Sequence, residues 1–214
     1  MNINQILPAI LLIILLLGGG YLLFQSKIPV KDTINTLTNL DLENLKGFNP
    51  PLGNPNAPVK IIEFSDAKCF YCKKFYMESF KKIKDEYIDK GLAVFYYRDF
   101  AFLSPESIQA SLASKCAREQ EKFWEYIDIL FENQSVGFNK ENLIKFAEKL
   151  NLDKEKFEKC INESKYMDEI QEDIKAAQAL GVRGTPYLII NNDIIEGAYP
   201  YEYIKQIIEK YLKK

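Results

Sequence analysis

VKIIEFSDAKCFYCKKF, residues 59–75, is the stretch on which the fold turns. Val59 to Phe64 is rich in β-branched and aromatic residues and is bounded by Pro58 and by Ser65–Asp66, which predicts a short buried strand. Cys69 then opens a helical pattern in which Phe70, Cys72, Phe75, Tyr76, Phe80, Ile83 and Tyr87 fall on or near one face, and Gly91 stops it. Leu92 to Tyr97 reads as a second strand, and the order strand–helix–strand implies parallel pairing through a right-handed crossover. The pair Cys69–Phe70–Tyr71–Cys72 therefore lies where a strand hands over to a helix. A cysteine at a helix start faces free backbone N–H groups and the positive end of the macrodipole, and both favour thiolate over thiol. Lys68, Lys73 and Lys74 add positive charge nearby. The three-residue spacing brings Cys72 back over the same helix end, so the pair can close a reducible disulfide, and Cys72 can resolve a mixed disulfide formed on Cys69.

Working outward, the chain of 214 residues is long enough for one good core, or one core with a sizeable insertion. Its composition, 47% hydrophobic and 27% charged with a net charge of −2, offers no basic face for nucleic acid. The absence of histidine excludes every mechanism that needs an imidazole, whether as base, metal ligand or partner of a cysteine nucleophile. Taken alone, a C-x-x-C pair also fits half of a zinc site or two buried small hydrophobes. A zinc ribbon needs a second close pair, which the other two cysteines, Cys116 and Cys160, do not provide. No metal and no cofactor are expected.

Ile6 to Phe24 carries no charged residue and is close to the length that crosses a bilayer as a helix. A buried core helix, a cleaved signal peptide and an uncleaved signal anchor are the three readings. Apolar residues Tyr21 to Phe24 follow the small-residue stretch Gly18–Gly20, which favours the anchor, taken as residues 1–26. Residues 27–56 read as a tether, with a short helix over part of Thr33–Leu45 and a Pro-, Gly- and Asn-dense loop from Gly47 to Pro58. The folded domain is expected over 57–214. A long helical region occupies about 104–180, with Ser104, Asn139 and Asp153 as helix caps. Tyr187–Ile190 reads as a strand, Asn191–Asp193 as a tight turn into Ile194–Glu196, and Tyr201–Leu212 as a closing amphipathic helix.

Three stretches in order, NPNAPVKIIEFSDAKCFYCKKF, CAREQEKFWEYIDILFENQ and GVRGTPYLIINNDIIEGAYPYEYIKQII, resemble the thioredoxin superfamily and within it the DsbA-like thiol–disulfide oxidoreductases. The resemblance covers roughly residues 50–212 and implies an α/β thioredoxin fold with an inserted helical domain. It implies that Cys69 is the attacking, substrate-linked cysteine and Cys72 the buried resolving one. Thr185–Pro186 matches the family's cis-proline pair, with Pro186 against the disulfide and the Thr185 backbone pairing with substrate. Glu63 matches the buried acid that exchanges a proton with Cys72; the alternative is a strand-end glutamate facing water. An apolar groove around the cysteines, lined by Phe70, Tyr71 and Tyr187, would suit unfolded chains. Some relatives carry a structural disulfide where Cys116 and Cys160 stand, although two free core cysteines fit the spacing as well. The chain departs from the family in holding Phe70–Tyr71 where Pro-His often stands, which removes one source of thiolate stabilisation.

The resemblance implies an extracytoplasmic, membrane-anchored enzyme that introduces disulfides into exported proteins and is recycled by a membrane redox partner. Lys27 and Lys31 after the apolar segment lean against that orientation, and the exported-type cysteine pattern leans toward it. A reductase or isomerase working the same site in reverse, and a non-catalytic adaptor, are the alternatives.

Overall fold

The computed structural model describes residues 42 and 44–213. The apolar segment within residues 1–26 and the tether up to residue 41 lie outside the described residues, and so does most of the short helix expected in Thr33–Leu45. Among the described residues no helix is long and apolar enough to cross a membrane.

Five strands form one sheet: β1 (Leu52–Gly53), β2 (Val59–Ser65), β3 (Ala93–Asp99), β4 (Tyr187–Ile190) and β5 (Asp193–Glu196), in the order β1-β3-β2-β4-β5. The two central strands run parallel, with Glu63 opposite Tyr97, and each is buried along nearly its whole length. That burial follows from their composition, since strands covered on both faces read as continuous apolar runs. The helix expected after Cys69 spans 70–88 and is called α1; it includes two short π-helical stretches, Tyr76–Phe80 and Lys84–Ile88. It carries the chain from β2 to β3 and buries Cys72, Phe75, Tyr76, Phe80, Ile83 and Tyr87. Phe70 alone of the expected set stays out, 68% exposed at the first turn, where the helix projects beyond the sheet.

Between β3 and β4 the chain folds into α2 (Pro105–Arg118), α3 (Phe123–Glu132), α4 (Lys140–Lys149), α5 (Lys154–Asn162) and α6 (Met167–Ala179). Ser104, Asn139 and Asp153 each accept a hydrogen bond from the backbone N–H three residues on, as N-caps do. The closing helix α7 (Tyr201–Leu212) packs against α1 and β2, and α6 lies against β3. Cys116 of α2 and Cys160 of α5 are joined by a disulfide, their Cα atoms 5.8 Å apart. The bridge makes these cysteines unavailable to complete a four-sulfur zinc site with Cys69 and Cys72.

The packed body begins earlier than residue 57. β1 pairs antiparallel with β3, and Asn49 is 4% exposed. Its side-chain amide donates to the Tyr97 carbonyl at 3.0 Å and accepts from Lys115 Nζ at 3.1 Å. Arg98 Nη1 donates to the Leu45 carbonyl at 3.0 Å, and Arg118 Nη1 to that of Phe48 at 2.9 Å. These anchors grow from a buried charge cluster: Lys115, wholly buried, lies 3.1 Å from Asp99 and 3.7 Å from Asp173, while Arg98 Nε holds Asp173 at 2.6 Å. Charges taken this far from water are tolerable only when each has partners, and here a lysine, an arginine and two aspartates neutralise one another.

A disulfide across 44 residues removes conformational freedom from the unfolded chain worth roughly 4 kcal/mol in the chain-entropy model. Replacing Cys116 and Cys160 together by alanine is therefore expected to lower the thermal midpoint by roughly 10 °C. Calorimetry of the variant checks this, and an unchanged midpoint would show that the bridge does not stabilise the fold.

Candidate active site

The site is assembled at the end of β2 from three segments: the β2–α1 loop, the first turn of α1 and the loop before β4. Cys69 is the N-cap of α1, with extended backbone (φ −73°, ψ 122°), and its Sγ accepts from the Cys72 N–H at 3.4 Å. Asp66 shapes the approach to it. Its carboxylate accepts from the N–H groups of Lys68 at 2.8 Å, Phe102 at 3.1 Å and Leu103 at 3.2 Å, and its carbonyl accepts from Cys69 N–H at 2.9 Å. The β2–α1 loop is thereby tied to the loop after β3, which presents Phe102 and Leu103 to solvent. Burial raises the Asp66 carboxyl above its usual value, and these donors pull the other way. A Ser-Asp pair closing a strand is the only trace of this role in the sequence.

The two sulfurs differ sharply. Cys69 is 7% exposed and Cys72 is fully buried, and both are free thiols here. As a thiol, Cys69 donates to the Thr185 carbonyl at 3.3 Å. Its acidity is increased to a pKa of about 6, first by the Cys72 thiol donating to it; against the cost of burial, the Thr185 side chain and then the N–H groups of Cys72 and Tyr71 add to the effect. Cys72 moves the opposite way: burial, the Cys69 thiolate and the charge of Glu63 all push it well above the ordinary thiol value. The lysines expected to help do less than their number suggests, since Lys68 is committed to Glu106 at 2.6 Å. Near neutral pH the charge of the pair therefore sits on Cys69, with Cys72 as thiol.

Glu63 sits on β2 beneath the pair, 1% exposed, and neither carboxyl oxygen has a hydrogen-bond partner among the described residues. Burial pushes its pKa up to about 8; nearby Ser65 lowers it and the charge on Cys69 raises it. The carboxyl is accordingly protonated at neutral pH, which rules out the water-facing alternative for this residue.

Thr185–Pro186 forms a cis peptide bond and enters β4 beside Cys69. Pro186 is buried, and its carbonyl accepts from Gly197 N–H at 2.8 Å, which fixes the β5–α7 loop next to the site. A groove of about 430 Å³ opens there, lined by Tyr71, Thr185, Glu196, Gly197, Ala198, Tyr199 and Pro200. Of the three aromatic residues expected to line it, Tyr71 does, 59% exposed. Phe70 is not among the groove's lining residues: it is exposed beside Lys73, Lys74 and Met77, its ring edge-on to that of Tyr71. Tyr187 is not in the groove: it is 6% exposed and packs edge-on against Phe64, its cross-strand neighbour, because the alternation of β4 turns it inward. Tyr199 takes the place expected for it, at a position that periodicity in the sequence does not mark.

The thioredoxin family model matches residues 47–210 of the chain. A probable disulfide bond formation protein D from Bacillus cereus is 33% identical over 172 residues, spanning 76% of this chain and 78% of that protein. The disulfide bond formation protein D of Bacillus subtilis is 32% identical over 186 residues, spanning 79% of each. Among solved structures, oxidised BdbD from Bacillus subtilis superposes with a TM-score of 0.71 at 30% identity over 77% of this chain and 93% of that one. Wolbachia pipientis alpha-DsbA1 gives 0.70 at 30% identity, over 79% and 96%. With these likenesses set beside a C-x-x-C pair at a helix start and a cis-proline facing it, the chain belongs to the DsbA-like thiol–disulfide oxidoreductases of the thioredoxin superfamily.

Proposed function

We propose that this chain donates disulfides to reduced proteins outside the cytoplasm, cycling Cys69 and Cys72 between disulfide and dithiol. The observation that carries the reading is the unequal pair: one sulfur at the rim held as thiolate, the other buried and held as thiol. In the oxidised enzyme a substrate thiolate attacks Cys69 Sγ. The Cys69–Cys72 bond breaks, its electron pair goes to Cys72, and a mixed disulfide joins Cys69 to the substrate. Cys72 cannot remain charged in its buried position, and Glu63, protonated at neutral pH, is the group beneath it able to hand over the proton. A second substrate thiolate then attacks the substrate sulfur of the mixed disulfide, and Cys69 leaves as the stabilised thiolate. A low-pKa leaving group departs faster and makes the disulfide a stronger oxidant. Two electrons have passed from substrate to enzyme, and a membrane redox partner removes them.

Tyr71, Ala198, Tyr199 and Pro200 beside Cys69, with exposed Phe70 packed edge-on against Tyr71, give an apolar surface suited to unfolded chains, and the Thr185 backbone would align one. The apolar segment Ile6–Phe24 supports anchoring in the cell membrane, and disulfide formation, the activity in the relatives' names, supports a domain in an oxidising compartment outside the cytoplasm. Phe70–Tyr71 in place of Pro-His favours the reverse reaction, a reductase, but the acidity of Cys69 without a histidine weighs against it.

The test is transfer of disulfides to a reduced, unfolded multi-thiol protein. The oxidised chain should consume about two substrate thiols per molecule and C69S and C72S none, whereas C72S mixed with a substrate that already carries a disulfide should trap it on Cys69, one substrate sulfur leaving as thiolate. A wild-type chain that leaves the substrate reduced would overturn the reading.

Glu63 gives a second prediction. Its folded pKa, about 8, is raised above the ordinary 4.5, so the folded state keeps a proton that the unfolded carboxyl has already released. Unfolding then releases a proton, and stability is lost as pH rises from about 5 to 8. E63Q cannot titrate, so the stability difference between variant and wild type should grow in the variant's favour by about 3 kcal/mol over that range. Release of substrate-linked Cys69 should not slow in E63Q, while formation of the mixed disulfide should. Denaturant titrations at several pH values and stopped-flow exchange check both; parallel pH profiles would show that Glu63 is not held protonated.

A further inference from the structure

The helical insertion grips the active-site loop at three points, and one of them bears directly on the reacting cysteine. After α3 the chain makes a single 3₁₀ turn, Gln134–Val136, followed by Gly137 at φ +78° and the fully buried Phe138. Asn142 of α4 locks this turn by donating to the carbonyls of Val136 at 2.9 Å and Gly137 at 3.3 Å. The half-buried side chain of Gln134 is thereby aimed across the domain boundary. Its amide nitrogen donates to the Ala67 carbonyl at 2.8 Å and to the Cys69 carbonyl at 3.0 Å. The residue between them is held by the same insertion: Lys68 Nζ pairs with Glu106 at 2.6 Å and lies over the Phe138 ring, 5.5 Å from its centre.

We propose that Gln134 is a positioning residue for the reaction, clamping the carbonyls on both sides of Lys68 so that the Cys69 sulfur stays over the first N–H groups of α1. The carbonyl of Cys69 already accepts the first intrahelical bond, from Lys73 N–H at 3.1 Å. A second donor on the same oxygen fixes the Cys69–Phe70 peptide plane, and the bond to Ala67 fixes the approach to it. The side chain of an N-cap residue keeps its contact with the helix N–H groups only while its own backbone holds the cap conformation. An α3–α4 turn in the insertion thus sets how well the thioredoxin part of the site stabilises a thiolate. The inference rests on the disulfide-exchange reading above and extends it from the pair itself to the insertion that covers it.

The test compares full-length wild type with Q134A, Q134E and, as a control, Q120A. Gln120 makes an equivalent amide bond, to the Asp153 carbonyl at 3.2 Å, but within the insertion and away from the site. Two readouts are taken: the pH dependence of Cys69 alkylation in the reduced chain, and the equilibrium constant with glutathione. Loss of one donor should raise the alkylation midpoint of Q134A by roughly 0.5 to 1 pH unit. It should shift the glutathione equilibrium toward the enzyme disulfide by the same roughly three- to tenfold. Q134E, of equal size, removes a donor, turns a carboxylate toward two carbonyl oxygens and brings negative charge near the sulfur, so its shift should exceed that of Q134A. Q120A should lose stability without moving either readout. Should Q134A fail to fold, Q134E decides. Wild type that exchanges while both Gln134 variants stay within twofold of it overturns the inference alone. Wild type that does not exchange with glutathione overturns the disulfide-exchange reading and the inference with it.

Discussion

A sulfur at the first turn of a helix is stabilised as a thiolate only if it stays over the free N–H groups there, and in this molecule that contact runs from the Cys72 N–H to Cys69 Sγ at 3.4 Å. Much of the surrounding structure serves to keep it. β2 delivers the loop, and Asp66 bonds that loop to the segment after β3. The cis-proline loop sets the Thr185 carbonyl against Cys69, and α1 buries Cys72 so completely that only one of the two sulfurs can carry charge. The acidity of Cys69 is thus achieved by a neighbouring thiol, the Thr185 side chain and the backbone, in a chain with no imidazole to supply it.

Glu63 is the counterpart of that arrangement. A carboxyl on a central strand with no hydrogen-bond partner among the described residues costs stability as soon as it ionises, and the burial that keeps it protonated also prevents Cys72 from holding a charge. The strand has no structural need of a glutamate between Ile62 and Phe64, where an apolar residue would pack at lower cost. The proton delivery to Cys72 proposed above would account for its presence. The charge cluster of Arg98, Lys115, Asp99 and Asp173 is a different case, since there every charge is answered within the cluster, and its effect is to fix the start of the body at Leu45 to Asn49.

The elements around the site were legible because they obey local rules. A β-branched run between Pro58 and Ser65, the caps Ser104, Asn139 and Asp153, and the turn at Asn191–Asn192 each encode their own boundary. Spacing and family likeness point to Cys69, Cys72, Thr185 and Pro186, and the fold brings all four together. Two kinds of feature escaped. Tyr187 is expected in the groove, but strand alternation turns it inward, and Tyr199 lines the groove from an irregular loop with no period to read. Lys115 and Asp173 lie on helix faces that otherwise pack, and their partners, Asp99 and Arg98, stand 16 and 75 residues away along the chain, which no local pattern discloses. The start of the body was set too late for the same reason: a Pro- and Gly-rich loop looks free until the arginines that hold its carbonyls are placed.

The reduction potential of the Cys69–Cys72 pair tests the central claim most directly, because thiolate stabilisation at Cys69 and oxidising power are the same free energy read in two ways. Equilibrating the chain in glutathione buffers of graded ratio and counting free thiols at the two cysteines gives it. The account predicts a value at the oxidising end, roughly −120 to −200 mV. A value at or below roughly −250 mV, in the range of thioredoxin, would contradict it and assign the site to reduction.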